Sequence, residues 1–216
     1  MKLYPVMMNL EKRLTLIIGG GNVAARKISD LFEAGAVIRV VSPDFVPEIV
    51  EMKELNPSRF ELVKRKYIKG DLQGAVLVFC ATDVREVNEA VYAEAKELGI
   101  LVNAVDDPPN CSFYVPSFAR KGDLVFALST SGASPAMAAK LRRMLEDMLP
   151  KEIEDMLQAL RRGREILKTD SSFKHIDTAN RGELLKKIVN DEKLLARLIL
   201  CKNDSEIVSF LKEISV

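Results

Sequence analysis

Three consecutive glycines, Gly19, Gly20 and Gly21, end an aliphatic run in the stretch LIIGGGNVAARK. Gly19, Gly21 and Ala24 fit the spacing GxGxxA. In that motif the first glycine makes a tight turn and the second lets the backbone approach a pyrophosphate. The small third residue permits close packing of helix on strand, and the N–H groups at the helix start favour an anion. A tight turn that binds no ligand can have the same sequence. The interpretation of the motif therefore depends on the secondary-structure elements around it.

The end of the second predicted strand reads VVSPDF and bears on the choice of cofactor. An acidic residue at this place usually holds the ribose hydroxyls of a dinucleotide, whereas this chain has Ser42, followed by Pro43 and Asp44. Ser42 could bind a ribose hydroxyl, and the lack of an acid at the strand end removes one barrier to a 2′-phosphate. We expect NAD as the cofactor and keep NADP as the alternative.

Two further polar stretches follow the fourth and fifth predicted strands, at the edge where open α/β sheets bind ligands. Ala81, Thr82 and Asp83 are candidate cofactor neighbours, although Thr82 or Asp83 would equally serve as a helix cap. In NAVDDP, Asp106 is placed to act as a general base, because the carboxylate follows a strand at the same edge. A turn before the next proline is the structural alternative for Asp106 and Asp107.

The elements that must position these residues follow a regular pattern. Short aliphatic runs alternate with helical periodicity, which predicts βαβ units and a parallel sheet. The strands are predicted at 14–18, 36–41, 61–63, 75–80 and 101–105. Amphipathic helices are predicted at 23–34 and 84–98, and each is followed by a glycine that favours a helix end. With a strand, a helix and a second strand around it, the glycine motif is predicted to bind a dinucleotide.

The pattern changes after Asp107. Two extended runs, at 112–119 and 123–130, are separated by a short basic turn and predict a β-hairpin. Ser134 and Pro135 are typical of an N-cap and a first helical residue, and Pro150 is predicted to open a further helix. A polar loop is predicted from about residue 168, followed by short helices around 184–189, 192–200 and 205–214.

Composition narrows the class of protein. The chain has 216 residues, 48% of them apolar, and a formal net charge of +1, which does not suggest a nucleic-acid partner. Its three cysteines are far apart and His175 is its single histidine, so we expect neither a structural zinc site nor a disulfide framework. No apolar run has the length of a membrane span, and the start is too charged for a signal peptide. We therefore expect a cytoplasmic protein that has no resident metal and does not bind membranes.

Five segments occur in an order and spacing that resemble the precorrin-2 dehydrogenase and sirohydrochlorin ferrochelatase family, the N-terminal module of siroheme synthase. They are YPVMMNL, IIGGGNVAARK, ATD, NAVDDPPNCSFYVPS and STSGASPAMAAKLR. The resemblance implies NAD-dependent oxidation of precorrin-2 to sirohydrochlorin by a homodimer, and in some members the same site also inserts Fe(II). It implies an α/β Rossmann-like parallel sheet domain over 1–113, a hairpin-and-helix dimerisation region over 114–149, and a helical C-terminal domain over 150–216.

The resemblance also implies roles for single residues. Asp106 matches the family's catalytic aspartate, whereas Asp107 is not part of that match. Asn22 and Val23 belong, with the glycines, to the cofactor-binding turn. Because precorrin-2 is a polycarboxylate, cations should face it. The candidates are Arg120, Lys121, Lys140, Arg142 and Arg143, with Arg26 and Lys27 as weaker ones.

A regulatory module that senses NAD(H) without catalysis is the alternative, because it would bind the dinucleotide through the same loop. Such sensors usually have the acid after the second strand and lack NAVDDP and STSGASP. These differences favour the enzyme.

Overall fold

A computed structural model of the chain describes residues 2–105 and 107–215, which divide into two compact units. The first unit is Leu3–Val115, and the second begins at Pro116. The division of the chain into three domains stays a prediction.

A five-stranded parallel sheet with three helices forms the first unit, which confirms the predicted α/β Rossmann-like class. The strands are β1 (Leu14–Ile18), β2 (Val37–Ser42), β3 (Phe60–Lys64), β4 (Leu77–Cys80) and β5 (Leu101–Ala104). The helices are α1 (Asn22–Glu33), α2 (Pro47–Leu55) and α3 (Arg85–Leu98). The order across the sheet is β3-β2-β1-β4-β5.

Helices cover both faces of this sheet, which is why its central strands are apolar throughout. Successive side chains of β1 point to opposite faces, so Ile17 joins one buried cluster while Leu16 and Ile18 join the other. Ile28 of α1 packs on the first face, and Val91 of α3 packs on the second. The aliphatic runs are thus explained by burial on two sides.

The sheet order places the ends of β1 and β4 side by side. Ile18 pairs with Cys80 on one side and with Val41 of β2 on the other. From this point the chain continues toward β2 after β1 and toward β5 after β4. Such a reversal of strand order opens a crevice at the carboxyl edge, where ligands bind in open α/β sheets.

The second unit contains an antiparallel hairpin and five helices among its described residues. These are β6 (Ser117–Lys121), β7 (Leu124–Leu128), α4 (Pro135–Met148), α5 (Ile153–Thr169), α6 (Thr178–Asn190), α7 (Glu192–Leu200) and α8 (Asp204–Ile214). The predicted N-cap is confirmed, because the Ser134 hydroxyl accepts a hydrogen bond from Met137 N.

Several predicted boundaries were wrong for local reasons. The first hairpin strand begins at Ser117 and not at residue 112, because the Ser112 N–H donates to Val102 O at 2.8 Å. Pro150 does not open a helix, since α5 begins at Ile153. Asp177 was assigned to a loop, yet its carboxylate accepts from Asn180 N at 2.7 Å and begins α6.

Helix α2 was not predicted at all. Its residues lack a clear apolar stripe, and within it only Ile49 is buried. None of the helices in the described ranges 2–105 and 107–215 combines the length and apolarity needed to cross a membrane.

A buried carboxylate on α3 holds the segment between β3 and β4. Glu94, 3% exposed, accepts hydrogen bonds from Tyr67 Oη, from Gly70 N at 2.9 Å and from Leu72 N at 3.4 Å. Burial and the Glu94 carboxylate raise the pKa of the Tyr67 hydroxyl, which keeps it a donor. One side chain therefore binds three donors of an otherwise irregular segment.

We expect Glu94→Ala to lower the free energy of unfolding by about 3 kcal/mol, because the Tyr67 hydroxyl and the N–H groups of Gly70 and Leu72 lose their shared, buried acceptor. Urea denaturation followed by circular dichroism measures the change. Glu97→Ala is the matched control, since Glu97 lies on the same helix and pairs with Lys69 of the same segment, but its side chain is 62% exposed. We expect less than about 1 kcal/mol for this control. Equal losses in the two variants would contradict the structural role of Glu94.

Candidate functional site

A cleft of about 790 Å³ opens at the carboxyl edge of the sheet in the first unit. Its walls come from the segments that follow β1, β2, β4 and β5. Eight of the predicted cofactor residues line it: Gly19, Gly21, Val23, Ser42, Asp44, Ala81, Thr82 and Asp83. The structure thus brings together residues that are more than 60 positions apart in the chain.

The three glycines are needed for different reasons. A Cβ on Gly19 would lie 2.2 Å from Ala81 O, and its φ of +118° disfavours any other residue. A Cβ on Gly20 would lie 2.1 Å from Asp44 O. A Cβ on Gly21 would meet no atom within 4 Å, so this glycine borders open space.

The N-terminus of α1 borders this space, and no acidic side chain of its own first turn competes for an anion. Gly21 is the N-cap, no side chain caps the helix, and its first turn has no acidic residue. The first N–H groups of a helix have no intrahelical partners, and together with the helix dipole they bind anions. A pyrophosphate therefore fits here, with the Gly21 position leaving room for its close approach.

The segment after β2 forms one end of the cleft. Val46 N donates to Gly20 O at 2.8 Å, which ties this segment to the glycine loop. Ser42 is 7% exposed, whereas Asp44 is exposed and lines the cleft. The carboxylate of Asp44 can accept hydrogen bonds from ribose hydroxyls, as the acid at the end of the second strand does in other dinucleotide sites.

The segment after β4 is held by hydrogen bonds at both ends of Thr82. Its Oγ1 accepts from Val84 N at 3.2 Å, and its carbonyl accepts from Asn88 Nδ2 at 3.2 Å. Val84 is the N-cap residue of α3, so neither Thr82 nor Asp83 takes the alternative capping position. Asn88 is 7% exposed and lines the cleft, and its Oδ1 is buried with no hydrogen-bond partner among the described residues.

The segment after β5 brings Val105 and Asp107 to the cleft. Asp107 Oδ2 accepts from Asn110 Nδ2 at 2.7 Å, which fixes one carboxylate oxygen. Asp106, the predicted catalytic residue, lies outside the described residues, and its role stays a prediction. Sequence reasoning gave Asp107 no role, although it lies at this edge.

Three predicted cofactor residues do not line the cleft in the part of the chain that the structure describes. Ala24 lies on the buried face of α1, as close packing of helix on strand requires, and Asn22 and Pro43 are exposed outside the lining. Outside the glycine loop, the sequence analysis also missed six lining residues, which are Phe45, Val46, Arg85, Asn88, Val105 and Asp107. Arg85 and Asn88 could have been found, because a helix that follows a strand begins at the same edge of the sheet.

The predicted substrate cations lie mostly in the second unit, and their role stays a prediction. Arg142 pairs with Glu146 on α4, and Lys121 Nζ donates to Pro150 O at 3.4 Å. In the first unit, Lys27 Nζ lies 5.8 Å from the centroid of the Phe79 ring. The remaining candidates, Arg26, Arg120, Lys140 and Arg143, are exposed.

Metal-binding groups were searched for in the ranges 2–105 and 107–215. Within them, no three or more His, Cys, Asp or Glu residues are placed to hold one ion. His175 is exposed.

A family model described as "Putative NAD(P)-binding" matches residues 6–117, which include every described residue that lines the cleft. The chain belongs to this family. The family description supports a nicotinamide dinucleotide as the cofactor, as the glycine motif predicts.

Relatives of similar sequence include siroheme synthases. The chain is 41% identical over 150 residues to the siroheme synthase of Methylobacillus flagellatus. The aligned region covers 69% of this chain and 32% of that relative. It is 38% identical over 165 residues to siroheme synthase 2 of Aeromonas salmonicida. This alignment covers 76% of this chain and 34% of that relative. The chain therefore spans about a third of the length of these relatives.

A solved structure matches nearly the whole chain. It is SirC, a precorrin-2 dehydrogenase, with a TM-score of 0.75, 25% sequence identity, and coverage of 98% of both chains. Together with the siroheme synthases, this match confirms the resemblance that the five sequence motifs indicate.

We expect Gly21→Ala to weaken dinucleotide binding at least about tenfold and to leave folding intact. The new methyl group meets open space in the free protein but would occupy the room left for the ligand. Titration with NADH, followed by its fluorescence, measures binding, and thermal unfolding measures stability.

Gly19→Ala is the matched control. Its Cβ would clash with Ala81 O, so we expect a loss of stability of about 3 kcal/mol or more. A Gly21→Ala variant that binds NADH as tightly as the unaltered protein would exclude the proposed pyrophosphate position.

Proposed function

We propose that this protein catalyses the NAD-dependent dehydrogenation of precorrin-2 to sirohydrochlorin. The observation that carries the proposal is the match over 98% of the chain to a precorrin-2 dehydrogenase. The cleft supports it, because the glycine loop lines it at the carboxyl edge of the sheet and the first turn of α1 has no acidic residue, which suits a dinucleotide. The regulatory alternative is not favoured, since the relatives are biosynthetic enzymes.

Different residues of the cleft bind different parts of the cofactor. Backbone N–H groups at the start of α1 bind the pyrophosphate, and Asp44 accepts from the ribose hydroxyls at the β2 end. The Thr82 segment lies at the opposite end, where the nicotinamide half belongs in a doubly wound sheet. The bound cofactor supplies the hydride acceptor for the reaction.

A base completes the reaction, because loss of hydride from a ring carbon must be accompanied by loss of a proton. The products are then sirohydrochlorin, NADH and one proton. We assign the proton transfer to Asp106, which the family resemblance marks as catalytic and whose neighbours Val105 and Asp107 line the cleft.

NAD rather than NADP is the proposed cofactor. Asp44 lines the β2 end of the cleft, where a 2′-phosphate would lie beside its carboxylate. Two negative groups in contact repel each other, whereas the free hydroxyls of NAD can donate to the same carboxylate.

The test is anaerobic incubation with precorrin-2 and either NAD or NADP, following the sirohydrochlorin spectrum and the reduced cofactor. We expect product with NAD and at least about tenfold lower kcat/KM with NADP. A folded protein that binds NAD but forms no product would contradict the proposed reaction. Incubation with sirohydrochlorin and Fe(II), without cofactor, tests the iron insertion that the resemblance implies for some members.

Asp106→Asn should abolish turnover, since an amide cannot take up the proton, and should leave the dissociation constant of NADH within about twofold. Asp107→Asn is the matched control, because it removes the neighbouring carboxylate and keeps the size of the side chain. We expect the control to retain most of its turnover. Full activity of Asp106→Asn would remove Asp106 from its assigned role.

We also propose that the protein forms a homodimer through α4, as the resemblance implies. One face of this helix exposes an apolar stripe at a spacing of three, four and seven residues. The stripe consists of Met137, Leu141, Met144, Leu145 and Met148, which are between 40% and 77% exposed. Large exposed apolar faces of this kind mark interaction surfaces.

Leu145→Glu should shift the protein from dimer to monomer, because a buried unpaired charge would oppose association. Size-exclusion chromatography with light scattering measures the mass. Val189→Glu is the control, since Val189 is 52% exposed on α6 and lies outside the stripe. A monomeric unaltered protein, or a dimer that survives Leu145→Glu unchanged, would contradict the proposed interface.

A further inference from the structure

Asn88 presents an unusual combination of burial and an unsatisfied group. It lies in the first turns of α3, is 7% exposed, and borders the dinucleotide cleft. Its Nδ2 donates to Thr82 O at 3.2 Å, while its Oδ1 is buried without a hydrogen-bond partner among the described residues. Such groups are rare in folded proteins and call for a specific explanation.

The orientation of the carboxamide is determined by its partner. Thr82 O can only accept, so the amide nitrogen of Asn88 must face it and the oxygen must face away. An apolar side chain at position 88 would avoid the unsatisfied oxygen but would leave Thr82 O without this donor. The hydrogen bond to Thr82 O is therefore the reason for a carboxamide at position 88.

The hydrogen bond from Asn88 fixes the position of Thr82 in the cleft wall. Its Oγ1 already accepts from Val84 N, which leaves the hydroxyl hydrogen available for donation. On the other side, Ala81 O would lie 2.2 Å from a Cβ on Gly19, so the segment cannot shift toward the glycine loop.

We propose that Asn88 is a positioning residue for the nicotinamide half of the cofactor, acting through Thr82. The inference rests on the proposed use of the cleft for a dinucleotide. Asn88 holds the Thr82 carbonyl, and the oriented Thr82 hydroxyl donates to the cofactor. Removal of either residue then removes the same contribution to cofactor binding.

The test is a double-mutant cycle on the dissociation constant of NADH, measured by fluorescence titration with the full chain. We expect Asn88→Ala and Thr82→Val each to raise this constant about tenfold. The double variant should bind no more than about twofold more weakly than either single variant, because coupled residues are non-additive. With precorrin-2, the KM for NAD should rise in Asn88→Ala while the KM for precorrin-2 stays unchanged.

Asn88→Asp covers the case in which Asn88→Ala fails to fold. It keeps the size of the side chain, but an ionised carboxylate cannot donate to Thr82 O, so we expect at least the same loss of NADH affinity. Asn56→Ala is the matched control. Asn56 Nδ2 also donates to a backbone carbonyl, that of Met52, at 3.2 Å, and does not line the cleft. Its removal should leave NADH binding within twofold.

The outcomes separate the two proposals. If the unaltered protein fails to bind NADH, the proposed function itself is contradicted. If it binds NADH and the Asn88 variants bind within twofold, only the positioning role is contradicted. Effects of Asn88→Ala and Thr82→Val that multiply to about a hundredfold would show independent contributions and also overturn the role.

Discussion

The dinucleotide cleft depends on the close contact between Gly19 and the carbonyl of Ala81. These residues follow β1 and β4, which lie side by side, so their segments leave the sheet into the same narrow space. Only a glycine with positive φ fits there, because any Cβ would overlap Ala81 O. The contact fixes the distance between the loops that follow β1 and β4. The crevice lies beside these loops and is bounded by the segments that follow β2 and β5.

Hydrogen bonds that continue one residue past the strands give these loops a defined start. Gly19 N donates to Val41 O at 3.0 Å, Ala81 N to Ile18 O at 2.8 Å, and Val105 N to Cys80 O at 2.9 Å. The first residue of each loop is therefore fixed relative to the sheet. The rigid strands in this way position the side chains that line the cleft. This explains how segments without regular structure can form a site with specific geometry.

The charge of the cleft is not what an anionic ligand would suggest. Its described charged lining residues are three acids, Asp44, Asp83 and Asp107, and one cation, Arg85. In the proposed function, the pyrophosphate would be held by backbone N–H groups and the dipole of α1, which do not contribute to net charge. Backbone groups of this kind allow a nearly neutral protein to form a site for an anion.

Local patterns in the sequence were sufficient for the class of fold, for most strands and helices, and for the glycine loop, because periodicity and caps act over a few residues. Eight predicted cofactor residues line the cleft for this reason. Helix α2, which lacks a strong apolar stripe, and the start of α6, which depends on Asp177, were missed. The sequence by itself determined where strands end and which polar residues follow them. Only the tertiary structure decided that β4 lies beside β1 and that Asn88 holds Thr82, since strand order and side-chain direction depend on packing between distant segments.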